Sequence, residues 1–236
     1  MSPGPRVPKA LIPQFVRRVL EIVPAHDDDL LKRHIDRLAP ISTSKPDLAN
    51  PLDKCYPVGD WFFCLRRFPE PNLQQNFLEI WPGTAGAFWG FLRLNPYFHD
   101  DQGRDRKIWE LAHAYVSTKY RGLGINALYV ALTLELARVN RADLVVANPR
   151  HVSMLITLTE NGFHIRGTSA GLQAIRRTIR QGRNWYRKDI SARRMYYAEE
   201  LRGIMQDGSL MMEKELKGSK FWELSLFGIN LRPRKA

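Results

Sequence analysis

The clearest pattern in the chain is an apolar run that gives way to a helical repeat. Positions 108–116 are apolar at almost every place, as expected for a strand buried on both faces. The polar segment 117–120 ends this run, and Gly122 and Gly124 follow it. From Ile125 onward, leucines recur at helical spacing through position 136. The pattern predicts a strand, a glycine-containing loop and a long helix.

Shorter patterns before this region predict two helices and an antiparallel sheet. Segment 11–23 has helical spacing, and a second helix is predicted from Asp27 to position 38. Acidic residues favour the N-terminal end of a helix, so the aspartates at 27–29 predict a helix start, and no metal ligands are predicted. The remaining assignments are a loop at 40–59, strands at 60–68, 77–81 and 87–94, a turn at 82–86 and an exposed polar connection at 95–106.

The pattern after the long helix continues as a mixture of strands and helices. The run 143–147 predicts a strand parallel to 108–116, because a helical crossover joins parallel strands. A helix at 151–160 should end at Gly162, which suits a left-handed cap, and Phe163 should return to the core. Further helices are predicted at 172–186 and 192–205, and a last strand at 220–231. We therefore expect an α/β fold in which an N-terminal arm and helices, 1–59, pack on one larger domain, 60–236.

The composition and the cysteines predict the cellular compartment of the protein. The 236 residues are 44% hydrophobic, which is ample for a packed core. No apolar run is long enough for a membrane span, and the proline-rich arm 1–10 lacks the apolar region of a secretory signal. The two cysteines, Cys55 and Cys64, are expected to be reduced, buried side chains. These features predict a cytoplasmic protein.

The glycine loop is the strongest functional signal. A strand that leads through glycines into a helix presents backbone N–H groups and the positive end of the helix dipole to an anion. The loop is not a Walker loop, since no Gly-Lys-Ser/Thr follows, and it lacks the third glycine of a dinucleotide fingerprint. The arrangement suits a pyrophosphate.

The run 119–124 resembles the pyrophosphate loop of the GNAT acyltransferase superfamily, with Lys119 where the family carries Gln or Arg. The resemblance covers about residues 76–165 and includes the pair Gly162-Phe163. Two positions differ, because His151 replaces a common asparagine and Leu158 replaces a tyrosine that often acts as general acid. The resemblance implies a GNAT-like mixed, mostly antiparallel sheet flanked by helices, extended here by a helical, basic C-terminal part.

The same resemblance implies an N-acyltransferase that moves an acyl group from acetyl-CoA, or another acyl-CoA, to an amine. The main chain at the strand end would hold the pantetheine arm, and the loop amides would hold the pyrophosphate. The implied coenzyme-binding residues are Val116, Ser117, Thr118, Lys119, Arg121, Gly122, Leu123, Gly124, Ile125, Asn126 and Asn148.

Acyl transfer to an amine needs a base, because only the neutral amine attacks. Glu110 is the leading candidate, since it is a carboxylate inside an apolar strand where burial raises a pKa. A structural ion pair with an arginine is the alternative role for Glu110. His113 is a second catalytic candidate, and Tyr115 shares its side of the strand. Because side chains alternate along a strand, Glu110 and His113 are predicted to lie on opposite faces.

A narrower resemblance suggests a different donor. Arg93-Leu94 and the segment 109–111 are similar to motifs of the acyl-homoserine-lactone (autoinducer) synthases, which share the fold. His113 replaces their arginine, and their acidic pair has no clear counterpart. This alternative implies a longer acyl chain, whose length would depend on the volume bounded by side chains such as Trp89, Phe91 and Trp109.

Positive charge is concentrated at the C-terminal end. The chain has a formal net charge of +12, and segment 164–236 carries 16 Lys or Arg against 7 Asp or Glu. The basic stretch 172–194 predicts an anionic partner, such as RNA, an anionic membrane surface or an acidic protein, unless it is only a solvated face that attracts the coenzyme's phosphates. A nucleic-acid-binding module on an inactive GNAT fold is therefore a further alternative.

Overall fold

The computed structural model describes residues 7, 10–40, 45–48, 53–84, 87–99, 106–166 and 210–216. The helices predicted at 172–186 and 192–205, the strand predicted at 220–231 and the basic stretch 172–194 lie outside these ranges. Among the described residues, no helix is long and apolar enough to cross a membrane.

Two helices begin the described chain, as predicted. Helix α1, Leu11–Ile22, buries Phe15 and Val19 completely, which are four residues apart and therefore on one side. Helix α2, Asp28–Asp36, begins where the aspartates predicted it. The Asp27 carboxylate accepts a hydrogen bond from the Leu30 N–H at 2.8 Å and so caps the helix.

Nine strands form one mixed sheet within the described ranges. Their order is β1-β2-β3-β5-β6-β7-β9-β8, with β4 paired to β3. Strands β6 and β7 run parallel, and the other pairs are antiparallel. The strands are β1 Lys54–Val58, β2 Trp61–Glu70, β3 Gln75–Thr84, β4 Ala87–Phe88, β5 Gly90–Phe98, β6 Ile108–Val116, β7 Leu144–Ala147, β8 His164–Ile165 and β9 Met212–Glu215. The prediction of an α/β fold with a mixed, mostly antiparallel sheet is confirmed.

Two more helices follow β6. Helix α3, Ile125–Val139, connects β6 to the parallel strand β7, and helix α4, Val152–Glu160, follows β7. Gly162 has a left-handed backbone (φ 81°) directly after α4, and Phe163 is buried, as the sequence predicted.

One face of the sheet packs against all four helices and is called the helix face. Trp109 and Leu111 of β6 belong to the same apolar core as Phe15, Leu128 and Leu158. The opposite face, called the far face, carries Cys64, Arg66, Glu79, Trp81, Phe91, Arg93, Asn95 and Glu110, which alternate with helix-face residues along the strands.

The sheet is larger than the sequence predicted. Strand β1 lies inside the segment predicted as a loop at 40–59, and β3 runs through the residues assigned to a turn at 82–84. Strand β5 continues to Phe98, so that Asn95, expected in an exposed connection, is 1% exposed. The polar and proline residues in these segments pair with neighbouring strands, and local sequence preferences do not include such long-range pairing.

The cysteines were predicted to be reduced, and the structure contradicts this. Cys55 of β1 and Cys64 of β2 lie directly opposite each other and form a disulfide, with their Cα atoms 3.9 Å apart. The prediction rested on the low cysteine count, but the register of an antiparallel pair brings two residues nine positions apart into contact.

A β-bulge in β6 changes the faces of its side chains. Leu111 pairs with Leu94 and His113 pairs with Arg93, so Ala112 is an extra residue in β6. The alternation therefore shifts by one position after Leu111. Glu110 and His113 consequently lie on the same far face, and the prediction that they lie on opposite faces was wrong.

Candidate active site

A wedge between two parallel strands is the main feature of the candidate site. The pairing of β6 with β7 runs only from Ile108–Leu144 to Leu111–Ala147. Beyond the bulge, residues 112–116 pair with β5 on one side, and within the described ranges no strand pairs with them on the other. The burial of β6 changes at the same point, because its second half is partly exposed rather than buried on both faces as predicted. Among the described residues, the backbone groups of 112–115 on that edge have no strand partner.

The glycine loop lies at the mouth of this wedge. A short 3₁₀ turn, Thr118–Tyr120, follows β6, and Gly122 and Gly124 have φ values of 83° and 86°. A Cβ atom built on either glycine would meet no atom within 4 Å, so the loop backbone faces open space. Helix α3 begins directly after Gly124 and has no side-chain cap, which leaves its first N–H groups available to an anion.

Several contacts with neighbouring segments hold the glycine loop in place. The Val7 N–H donates to the Leu123 carbonyl at 2.8 Å, and Val7 itself is buried in the main core. Val7, which the sequence places in the proline-rich arm 1–10, is thus held in place. The Arg121 side chain donates to the Val116 carbonyl at 3.3 Å, and Asn126 of α3 donates to the Ser153 hydroxyl of α4 at 3.3 Å. These contacts hold the loop and both helix starts in one arrangement.

The other predicted coenzyme residues surround the same mouth. Ser117, whose N–H donates to the Trp89 carbonyl at 2.8 Å, joins β6 to the 3₁₀ turn, and Lys119 is exposed beside the ring of Tyr120. Asn148 comes directly after β7, on the β7 side of the wedge. The predicted residues at 116–126 therefore form one continuous rim.

Glu110 lies in the wall of the wedge, in the last part of β6 that still pairs with β7. It is opposite Val146 on one side and Asn95 on the other, and the Asn95 amide donates to its carboxylate at 3.4 Å. Burial raises the pKa of Glu110 above the usual range, and the hydrogen bond from Asn95 offsets part of this effect. The carboxylate is therefore suited to accept a proton.

His113 lies one step along the same face and is exposed rather than packed. Its ring is 5.2 Å from that of Phe91, and the Tyr115 ring lies 5.6 Å from the same phenylalanine, which confirms that His113 and Tyr115 share a face. Desolvation on this aromatic surface, together with the charges of Arg93, Arg150 and His151, lowers the pKa of His113 below its usual value. Neutral His113 is thus favoured near pH 7.

A polar row of four side chains crosses the far face beside this site, and sequence reasoning missed the row as a unit. Arg66 of β2 pairs with Glu79 of β3, Glu79 with Arg93 of β5, and Arg93 with His113 of β6. Arg66 and Glu79 give little sign of a site within their own strands, whereas Arg93 and His113 stand out in the sequence, but without the link between them. The row exists only through the register of four strands, and the weak signal available was a charged residue at one inward position of each apolar strand.

Three side chains expected to bound the acyl chain do not lie together. Trp89 and Trp109 are buried in the core of the helix face, whereas Phe91 lies on the far face. Leu158 is fully buried in the core of the helix face, so the position at which GNAT enzymes often carry a tyrosine offers no acid to the wedge.

Comparison with known proteins gives no further assignment, because the chain matches no protein-family model and no curated protein sequence.

Proposed function

We propose that this chain is an N-acyltransferase that transfers an acyl group from acyl-coenzyme A to an amine. The observation that carries the proposal is the coincidence of three features at one edge of the sheet. The half-paired strand β6, the open left-handed glycines and a partly buried carboxylate, Glu110, all border the wedge between β6 and β7. A thioester coenzyme requires an extended site for pantetheine, an anion site for pyrophosphate and a base near the acyl carbon.

In this proposal the coenzyme binds along the wedge. The pantetheine amides pair with the unpaired edge of residues 112–116, in the manner of an added strand. The pyrophosphate accepts hydrogen bonds from the loop amides and from the start of α3, with Lys119 and Arg121 adding positive charge. The thioester then lies near the bulge, next to Glu110.

The chemistry follows from this placement. Glu110 removes a proton from the amine, directly or through one water, while the amine nitrogen attacks the thioester carbonyl carbon. A backbone N–H at the bulged part of β6 stabilises the developing oxyanion. The carbon–sulfur bond then breaks, and the coenzyme thiolate leaves and is protonated. His113 lies on the same face and at neutral pH can hold or pass this proton.

The test is a thermal-shift panel with acetyl-, octanoyl- and palmitoyl-coenzyme A at low and high salt. A ligand at one hundred times its dissociation constant adds about 2.7 kcal/mol, or roughly 5–10 °C in Tm for a domain of this size. We expect a shift that survives high salt. The chain length with the largest shift separates acetyl transfer from the longer donors of an autoinducer-synthase-like enzyme. No shift with any thioester, together with salt-sensitive RNA binding, would favour the inactive-fold alternative.

A matched pair of variants locates the binding site. Gly122→Asp places a carboxylate where the pyrophosphate is proposed to bind, whereas Gly59→Asp makes the same change at a distant turn between β1 and β2. Both glycines have positive φ and open space where a side chain would lie, so their backbone strain is comparable. We expect Gly122→Asp alone to abolish the coenzyme-induced shift. Equal shifts in the two variants would contradict the proposed pyrophosphate site.

A further inference from the structure

One buried amide connects the backbone of β5 to the candidate base. Asn95 is 1% exposed and lies directly opposite Glu110 in the β5–β6 pair. Its Nδ2 group donates to Glu110 Oε2 at 3.4 Å, and its Oδ1 atom accepts from the Tyr97 N–H at 3.0 Å. Both ends of the amide are thus engaged inside the sheet, where bulk water does not compete for them.

A β-bulge in β5 explains why this amide has one orientation. Asn95 pairs with Glu110 and Phe98 pairs with Ile108, so β5 has one more residue than β6 over this stretch. The Tyr97 N–H inside the bulge donates to the Asn95 side chain, a local contact that asparagine commonly makes with the backbone two residues on. Only the oxygen of an amide can accept, so the NH₂ group of Asn95 has to face Glu110.

Glu110 depends on a single hydrogen-bond donor within the described ranges. That donor is Asn95, and the neighbour on the opposite side of Glu110 is the apolar residue Val146 of β7. The charged or titratable residues that share the far face with it on β5, β6 and β9 are Arg93, His113 and Glu213. Burial raises the pKa of Glu110, and the Asn95 amide offsets part of this effect. One side chain therefore influences both the orientation and the charge of the carboxylate.

The contact also distinguishes the two oxygens of the carboxylate. Asn95 engages Oε2, which leaves Oε1 for the proton of the acceptor amine. A general base has to be held within hydrogen-bond reach of the proton that it removes. Catalytic hydrogen bonds are often long before substrate binds and shorten in the reacting complex, and a distance of 3.4 Å is consistent with such a contact.

We propose that Asn95 is a positioning residue for acyl transfer, which holds Glu110 Oε2 so that Oε1 is directed to the acceptor amine. This inference rests on the proposed acyltransferase function. The amine loses its proton to Oε1 as the carbon–nitrogen bond forms, and the carbon–sulfur bond breaks to release the coenzyme thiolate. The thiolate takes up one proton, and Glu110 returns its proton to solvent. Asn95 neither gives up nor receives a proton during these steps.

Asn95→Asp separates this role from a purely structural one. The new carboxylate still accepts from the Tyr97 N–H, so the bulge keeps its hydrogen bond, but it cannot donate to Glu110. Two facing carboxylates favour the protonated form, and the active base is the deprotonated form. The midpoint of kcat/KM against pH should therefore rise by about two units, while the coenzyme-induced thermal shift stays the same. An unchanged midpoint would overturn the inference.

Asn76→Asp is the matched control for this substitution. The Asn76 amide in β3 makes the same kind of contacts, because its oxygen accepts from Arg67 at 3.3 Å and its NH₂ group donates to Asp36 at 2.6 Å. The control variant thus also places two carboxylates face to face in this sheet, but away from the wedge. It should leave the midpoint of kcat/KM unchanged. An equal rise in both variants would show an effect of net charge alone and would overturn the positioning role.

A double variant tests the contact without an activity measurement. Asn95→Asp should lower Tm by about 5 °C at pH 8, because it places two charged carboxylates opposite each other. Adding Glu110→Gln reverses the hydrogen bond, since the glutamine amide donates to the aspartate, and should restore most of the lost Tm. No recovery would mean that the two side chains do not interact and would overturn the inference.

The two levels of the proposal fail in different ways. Acyl-coenzyme A binding and turnover, together with an unchanged pH midpoint in Asn95→Asp, would overturn the positioning role and leave the acyltransferase function standing. If no acyl-coenzyme A is bound or turned over, the proposed function fails. The positioning role then fails with it, even where the double variant recovers its stability.

Discussion

The ionisation of the Glu79 carboxylate makes the stability of the fold depend on pH. Burial, partly offset by the charge of Arg93, raises its pKa from 4.5 to about 7. Because the folded pKa is the higher one, this group favours folding fully below about pH 4.5, and this contribution is lost as the pH rises through 7. The difference corresponds to about 3 kcal/mol.

Glu79→Gln should remove this dependence on pH. The variant and the unmodified protein should differ little in relative stability near pH 5, whereas at pH 8 the variant should gain about 3 kcal/mol relative to the unmodified protein. Urea unfolding at the two pH values measures the change. Glu160→Gln, an exposed substitution at the end of α4, is the control. Identical pH dependence in Glu79→Gln and the unmodified protein would show that Glu79 does not titrate in this range.

Glu110 is expected to affect turnover rather than coenzyme binding. A base must be deprotonated, so kcat/KM should rise with pH, with a midpoint above the ordinary value for glutamate because burial raises the pKa. Glu110→Gln should lower kcat about 100-fold and leave the coenzyme-induced thermal shift unchanged. A pH–rate profile with single-turnover kinetics measures both. Full activity in this variant would exclude Glu110 as the base and favour a structural role.

At the scale of elements, the contact between β5 and β6 depends on a missing side chain. Gly90 has φ 151°, and a Cβ atom there would lie 1.9 Å from the Tyr115 carbonyl oxygen. The strand end that leads into the glycine loop is thus held against β5 by close backbone contact. Only glycine permits this approach.

Gly90→Ala should therefore destabilise the protein by roughly 3–5 kcal/mol, from steric overlap together with backbone strain. Gly59→Ala also places a methyl group at a positive φ, but at 61°, in the left-handed region that an L-residue can adopt, and with open space around it, so it should cost about 1 kcal/mol. Chemical denaturation of the two variants measures the difference. Equal losses would mean that the strand ends can move apart at little cost.

The elements differ in how well their sequences predict them. Helices α1 and α2, the glycine loop and the strand at β7 follow from local periodicity and from side chains such as Asp27 that act on their own neighbours. The bulge at Ala112 and the disulfide depend on register, which one strand's sequence does not contain. The polar row through Glu79 needs the register of four strands together, so the sequence could predict the loop, Glu110, His113 and Asn148 as candidates but not this row.

At the scale of the whole molecule, the N-terminal helices belong to the same core as the sheet. Phe15 is completely buried, and its ring lies 6.0 Å from that of Phe63 in β2 and 6.1 Å from that of Trp89. Helix α1 also shares the apolar cluster with α3, which begins at the glycine loop. Loosening α1 should therefore affect the entire sheet and the wedge.

Phe15→Ala should lower the free energy of unfolding by about 3–5 kcal/mol, because it leaves a cavity in this shared core. The unfolding transition should stay single when followed by tryptophan fluorescence and by circular dichroism. Leu30→Ala is the control, since Leu30 is 44% exposed and should change stability by about 0.5 kcal/mol at most. Two separate transitions in Phe15→Ala would indicate that the N-terminal helices unfold independently.

The extra residue in β6 also affects how this chain can be compared with other proteins. A motif counted along a strand assumes that equal spacing means equal orientation, and Ala112 breaks that assumption. In a strand without the bulge, the residue three places after the glutamate would face the helices rather than the far face. A comparison that matches His113 to the arginine of autoinducer synthases therefore compares residues on the same face only where the compared strand carries the same extra residue.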